Sequence, residues 1–244
     1  MNPIKTEISE LTNTKFTFII PVKEEEGNIL KVLSGFKQFK YNIELIFIVS
    51  SESFDTFREI EFQSRQEFYS NLKILFKYQD NSGKADAVIQ GFKISTGEII
   101  SIFDADCSVS HFDAIQIALK SLEVNAVVTG NRLDSYLKNS GRMFHFFYNK
   151  IITLFFNFRF KTNLMDVLCG SKAFPKLVVQ NILKLNDCVD NRDRWGDLLF
   201  LSLSLQSGLE LINLNVTYHD REWGNSKISS FFDGVSLLLF ILRR

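Results

Sequence analysis

Two aspartates stand one residue apart in ISIFDADCS, where Asp104 and Asp106 flank Ala105. On a turn, such a pair presents two carboxylates to one side while Ala105 points away. Hard divalent cations take oxygen ligands of this kind, and Mg2+ keeps few protein ligands and draws its other contacts from phosphate oxygens. A solvated acidic turn has the same composition. Position favours the cation: residues 98–103 read as a strand, and ligands of open α/β sheets bind at the carboxyl ends of strands.

Other groups in the chain carry similar pairs of readings. Gly83-Lys84 opens a helical stretch, and a helix start accepts anions readily, so Lys84 is a surface lysine or a phosphate contact. Asp166 and Asp197 are helix caps or ion-pair partners. His219 beside Asp220 has the donor types of a metal ligand, although a single histidine more often serves structure. Arg221 and Lys227 flank Gly224 as a basic loop.

The elements that must hold these residues alternate. Residues 16–22 (FTFIIPV) form an apolar run with the character of a buried parallel strand, with Pro21 near its end. The next stretch places Ile29, Val32, Leu33 and Phe36 on one helical face, after a start made acidic by Glu24 to Glu26. Strands follow at 44–50, 71–78, 98–103 and 124–129, with helices at 53–69, 83–94 and 111–121. Repeated strand–helix–strand units with short connections predict a parallel sheet covered on both faces.

Composition bounds the function. The chain has 244 residues, long enough for one domain with a sizeable core. Lys+Arg 28 equals Asp+Glu 28, which argues against nucleic acid as the main partner. Cys107, Cys169 and Cys188 are too sparse for a disulfide framework, and with 3 His they make no zinc spacing. The start, MNPIKTEISELTNTK, has no apolar core of a signal peptide, and no apolar run is long enough to span a bilayer. The expected location is the cytoplasm, or peripheral on the cytoplasmic face of a membrane.

The motifs taken jointly are more specific. The stretch from Asn81 through Gly83-Lys84, Ala87, Gly91 and Gly97-Glu98 to Asp104-Ala105-Asp106 resembles that of family 2 glycosyltransferases. IIPVKEEEGNI resembles their first strand and the loop after it. Within that family, GNRL (130–133), DVLCGSKAF (166–174), WGDLLF (195–200) and YHDREWGNSKIS (218–229) resemble blocks of the polyprenyl-phosphate, dolichyl-phosphate-like branch, in its order. The resemblance implies an α/β GT-A fold, a Rossmann-like three-layer sandwich with a mostly parallel central sheet. It implies one domain over 1–244, with a nucleotide-sugar half at about 16–130 and an acceptor-binding, membrane-facing half at about 131–244. The implied reaction is inverting transfer of a sugar from a nucleotide diphosphate sugar to a polyprenyl phosphate, for cell-surface glycan synthesis. A saccharide hydroxyl acceptor, or nucleotide-sugar binding without catalysis, are the alternatives.

The residues carried over are Pro21, Glu25, Ser51, Asp80, Gly83, Lys84, Asp104, Ala105, Asp106 and Arg132 for the nucleotide sugar. Mg2+ or Mn2+ falls to Asp104 and Asp106. Asp166 and Asp197 are candidates for a base or for orienting the acceptor, and Arg221 and Lys227 for a clamp on the diphosphate. Two blocks depart from the family pattern. Lys23-Glu24 stands where Tyr-Asn is usual, and Ser50-Ser51-Glu52-Ser53 where D-D-G-S is usual, so no nucleotide is assigned.

Residues 141–160 hold seven of the 25 Phe residues, with Lys150 and Arg159 among them. Phe144, Phe146, Phe147, Ile151, Ile152, Leu154, Phe155, Phe156 and Phe158 predict an interfacial helix, with a helix packed under the sheet as the alternative. The apolar helix at 228–242 runs into the basic end Arg243-Arg244 and supplies a second contact with an anionic surface.

Overall fold

Aliphatic and aromatic runs become strands, the central ones buried on both faces and the two edge ones half-buried, and the amphipathic stretches between them become the covering helices. The computed structural model of the chain describes residues 13–137, 143–186, 196–220 and 230–243. Its first half contains β1 (Lys15–Val22), α1 (Ile29–Lys37), β2 (Asn42–Val49), α2 (Phe54–Ser64), β3 (Lys73–Tyr78), α3 (Lys84–Ile94), β4 (Ile99–Ile102), α4 (His111–Val124) and β5 (Val127–Asn131). Then follow α5 (Leu133–Leu137), α6 (Met143–Phe160), β6 (Lys172–Pro175), α7 (Lys176–Asn186), α8 (Asp197–Leu205), β7 (Leu211–Asn215) and α9 (Ser230–Arg243). The helix expected over 53–69 ends at Ser64, because Gln66 is extended. A 3-10 turn, Glu67–Tyr69, then carries Tyr69 into the core.

The seven strands form one sheet in the order β3-β2-β1-β4-β6-β5-β7. β1 to β4 run parallel, and β5 and β7 pair in parallel. β6 is antiparallel to both of its neighbours, β4 and β5. Sequence periodicity leaves β6 and β7 unassigned. Both come from the later part of the chain, so the sheet is continuous across the division expected near residue 130.

Alternation along the strands builds two cores. Phe16, Phe18 and Ile20 of β1 face α1, α2 and α4, with Ile29, Val32, Leu33, Phe36, Ile60 and Ile115. Ile19 faces the opposite layer, with Val88 and Phe92 of α3, Ile152 and Phe156 of α6, Val178 of α7, Leu198 of α8 and Phe240 of α9. The sheet thus has helices on both faces. Gly91 brings α3 down on β1: a Cβ there would stand 2.9 Å from Ile19 Cγ1.

At the amino ends of the parallel strands, Glu44 of β2 is fully buried. It accepts bonds from Thr17 Oγ1 at 2.6 Å, Thr96 N at 2.9 Å and Lys73 Nζ at 2.7 Å, with Lys15 Nζ at 3.1 Å. Burial pushes this carboxyl up, but the bonds from Lys73, Thr17 and Thr96 outweigh it and hold the pKa at about 2. This network lies at the edge away from the candidate site and serves the fold.

Candidate active site

The carboxyl ends of β1 to β4 share one edge, and their loops are stitched together there. Ser50 N donates to Val22 O at 2.8 Å, Gln79 N to Val49 O at 2.7 Å, and Phe103 N to Ile19 O at 2.9 Å. Antiparallel β6 starts where β4 ends, with Ile102 opposite Lys172. The strand reversal therefore delivers residues 166–172 to the same edge.

Asp104 and Asp106 lie on the turn after β4. Ala105 is buried in the first core, as its expected orientation requires. Asp106 is buried and its Oδ1 accepts Ser108 N at 2.9 Å. Asp104 Oδ1 lies 2.5 Å from Lys84 Nζ. Its other oxygen, Oδ2, lies against Gly170, where an added Cβ would overlap it and stand 3.0 Å from Lys84 Nζ. Burial lowers the Lys84 pKa, but Asp104 above all, then Asp197 and Asp106, drive it well above the usual lysine value.

Lys84 is placed by the loop before α3. Gly83 takes a φ of 101°, in the region that favours glycine, and Gln79 Nε2 donates to its carbonyl at 2.6 Å. Asn81 Nδ2 donates to Asp86 Oδ1 at 3.2 Å, and Gln90 Nε2 donates to Asp86 Oδ2. Asp80 is exposed and ion-paired with Lys77 at 3.0 Å, and its backbone N donates to Gln90 Oε1 at 3.3 Å.

The other two aspartates stand in buried ion pairs. Asp166 is fully buried. Arg132 grips it through Nε at 2.8 Å and Nη2 at 3.1 Å, and the Arg132 and Leu168 amides add bonds at 3.2 and 3.0 Å. Burial pushes the Asp166 carboxyl up, yet Arg132 outweighs it and holds it below the usual carboxylate range. Asp197, the first residue of α8, accepts Lys172 Nζ at 2.7 Å, and Lys172 also donates to Cys169 O. Asp104, Lys84, Asp197 and Lys172 thus alternate in sign across the end of β4 and the start of β6.

The entry loops contain the remaining candidates. Glu25 is buried and its Oε2 accepts Asn28 Nδ2 at 2.7 Å. Pro21 is half-buried opposite Ile48, and Ser51 is exposed. The two departures from the family pattern meet, since Lys23 pairs with Glu52 at 2.9 Å. Beyond β7, His219 N donates to Ser108 O at 2.8 Å and Tyr218 lies under Arg132, 5.7 Å from ring centre to guanidinium carbon. The chain up to Asp220 therefore runs beside the Asp106 turn. Arg221 and Lys227 lie outside the described residues.

Sequence reasoning missed Lys172, Gly170 and Asn213. Lys172 was signalled by a lone cation inside the apolar run before Phe174, and Gly170 by its place in that block. Asn213 gave no signal. Its side chain donates to Thr129 O at 3.3 Å and to Asp166 O at 3.2 Å, and accepts Met165 N at 2.6 Å, which ties β7, β5 and the Asp166 loop together. His219 is exposed, and among the described residues no group of three or more His, Cys, Asp or Glu could hold a metal. Two carboxylates with a cation already seated on one of them nevertheless fit an ion that shares its other ligands with phosphate.

The aromatic helix divides. Ile152 and Phe156 of α6 are core residues, which corrects the expectation that the whole apolar set is interfacial. Phe147, Ile151, Leu154, Phe155 and Phe158 form an exposed stripe, and Val235, Leu239 and Leu242 of α9 form a second one. The two helices pack on each other. The Phe144 side chain lies outside what is described. No helix among the described residues is long and apolar enough to cross a membrane.

The architecture has solved counterparts. Glucosyl-3-phosphoglycerate synthase from Mycobacterium tuberculosis, in complex with Mn2+, UDP and phosphoglyceric acid, aligns with a TM-score of 0.59 and 16% identity, covering 88% of this chain and 75% of that one. A mannosyltransferase from Pyrobaculum calidifontis in complex with GDP-Man and Mn2+ aligns at 0.58 and 18% identity, covering 84% and 56%. At these identities the likeness shows the GT-A fold. Among curated proteins, undecaprenyl-phosphate 4-deoxy-4-formamido-L-arabinose transferases are similar. The one from Photorhabdus laumondii is 25% identical and the one from Proteus mirabilis 22%, each over 93% of this chain and 67% of the relative. The family model Glycosyl transferase family 2 matches residues 17–183, more than half of the chain. The sheet edge, its paired aspartates and this match agree, and the chain belongs to glycosyl transferase family 2.

Proposed function

We propose that this glycosyltransferase moves a sugar from a nucleoside diphosphate sugar to a polyprenyl phosphate at a membrane surface, with inversion at the anomeric carbon. The observation that carries the lipid acceptor is the exposed apolar stripe of α6, joined to the candidate site through its inner face. Asn157 of α6 holds Leu164 by bonds of 2.7 and 3.0 Å, and Thr153 Oγ1 accepts Val167 N at 3.3 Å. A helix lying in the interface therefore holds the loop that carries Asp166 and Gly170, and the stripe on α9 extends the platform. Lys150 and Arg159 are exposed on α6, where they can meet lipid phosphates as the rings sink to the acyl boundary. The names of the curated relatives point to the same acceptor class.

Asp104 and Asp106 would hold Mg2+ or Mn2+ together with the diphosphate, and such an ion offsets the charge that develops on the leaving nucleotide. In the transfer, an oxygen of the lipid phosphate forms the new bond to the anomeric carbon as the bond to the diphosphate breaks. That oxygen is already anionic, so no proton has to be removed from it. This suits a site in which Asp166 is locked by Arg132 and held below the usual carboxylate range. A saccharide hydroxyl would need a base that these ion pairs do not leave available. Arg221 and Lys227 are proposed as the clamp on the diphosphate, and the cytoplasmic face as the side from which the nucleotide sugar arrives.

The test is nucleoside diphosphate release from a panel of nucleotide sugars with Mg2+ or Mn2+, with and without undecaprenyl phosphate. Turnover that requires the lipid phosphate is expected. Turnover with free saccharides and none with the lipid phosphate would refute the proposal.

A further inference from the structure

We propose that Lys84 is the resident counter-cation of Asp104 and that a divalent ion binds only by displacing it, so that metal enters with the nucleoside diphosphate and not ahead of it. This rests on the reading of Asp104 and Asp106 as cation ligands. The geometry leaves an incoming ion little choice. One oxygen of Asp104 lies against the Gly170 main chain, and the other carries the Lys84 ammonium at 2.5 Å. A metal using Asp104 must take the place of that ammonium. Lys84 is itself mostly buried, with 20% of its side chain exposed. Of its other acidic neighbours, Asp197 is already bonded to Lys172 at 2.7 Å, and Asp106 is the second carboxylate that the incoming ion would take. Metal alone would therefore put two positive charges beside an ammonium stripped of its partner. A diphosphate arriving with the metal brings the negative charge that both cations need. It also approaches the first turn of α3, where Lys84 is the first residue and the helix end favours anions.

The full chain is titrated with Mn2+ alone, and free Mn2+ is followed by electron paramagnetic resonance. The titration is then repeated with saturating UDP or GDP. Wild-type protein is expected to bind Mn2+ weakly alone and far more tightly with a nucleoside diphosphate. Lys84→Met and Lys84→Gln should bind Mn2+ alone at least about tenfold more tightly than wild type, since a full charge leaves a partly buried carboxylate. Their gain from the nucleotide should shrink. Asp104→Asn should not show the increase. Lys84→Gln keeps chain length and a donor, and thermal melting checks that both Lys84 variants are folded. If the folded variants bind Mn2+ no more tightly than wild type, while wild type binds it with UDP or GDP, the displacement idea is wrong. If wild type binds no Mn2+ even with either nucleotide, the cation reading itself fails and takes the inference with it.

Discussion

Gly170→Ala tests whether the place of Asp104 is set by the backbone beneath it. The new Cβ would overlap Asp104 Oδ2 and lie 2.9 Å from its Cγ. The loop cannot easily yield, because Gly130 N donates to Ser171 O at 3.0 Å on one side and Lys172 holds Cys169 O on the other. The carboxylate must therefore retreat by about 1 Å, and misplacement on that scale costs about 10²-fold in rate. Overpacking should also lower stability by about 1–3 kcal/mol. The assay is nucleoside diphosphate release over a Mn2+ series, with melting temperature measured in parallel. kcat/KM is expected to fall about 10²-fold and the half-activating Mn2+ concentration to rise. Gly208→Ala is the control, since a Cβ there meets nothing within 4 Å although its φ of 73° is strained. It should lose some stability and keep its rate. A folded Gly170→Ala protein with wild-type kcat/KM and metal response would refute the reasoning.

Four further outcomes are expected. The Glu44 carboxyl is held at about 2 in the folded chain, below the ordinary 4.5 of a glutamate, so its stabilisation is present above about pH 4.5 and lost as pH falls toward 2. Glu44→Gln should cost about 3 kcal/mol at pH 7 in chemical denaturation and flatten that acid limb, and an unchanged limb would contradict the network's role. Burial between Phe36 and Phe103, above all, and then Lys31 push His111 down to about 4 although Val32 O accepts a bond from it, so folding favours the neutral ring. Stability should therefore fall by about 2 kcal/mol between pH 7 and 5, a loss that His111→Leu removes. The protein should co-sediment with anionic liposomes at low salt, and joint Phe147→Ser, Phe155→Ser and Phe158→Ser should release it with nucleotide binding kept. Wild type wholly in the supernatant would end the interfacial reading. Asp166→Asn should lower stability and rate together and leave the pH dependence of kcat/KM unchanged, whereas loss of an acid limb would make Asp166 a base.

The first half of the chain was legible because its signals are local. Ile29, Val32, Leu33 and Phe36 lie on one helical face and all four are buried. Asp104 and Asp106 follow an apolar strand, where the fold builds its crevice. The later half was less legible because its elements answer to distant neighbours. β6 has four residues, too short for alternation to show, and exists because β4 and β5 offer edges on either side. Lys172 reads as a break in an apolar run until α8 supplies Asp197. Gly170 is needed only because Asp104, far away in sequence, lies on it. The mixture of core and exposed aromatics in α6 was hidden by composition, since Phe156 and Phe158 differ only in the face they occupy.

The ion pairs also bear on the choice of acceptor. A base at Asp166 would have to leave Arg132, and one at Asp197 would have to leave Lys172. Breaking a buried pair costs about 3–5 kcal/mol, because the partner charge is stranded. Every 1.36 kcal/mol is a factor of ten in rate, so a hydroxyl acceptor would surrender about two to four powers of ten before its proton moved. An anionic acceptor needs no such release. For it, the same pairs are useful as they stand: they fix the Asp166 loop and the start of α8 around the end of β4, with Lys84 and Asp104 held between them. Preorganised charge of this kind acts without rearranging when the anomeric bond breaks, which is where electrostatic stabilisation is most effective.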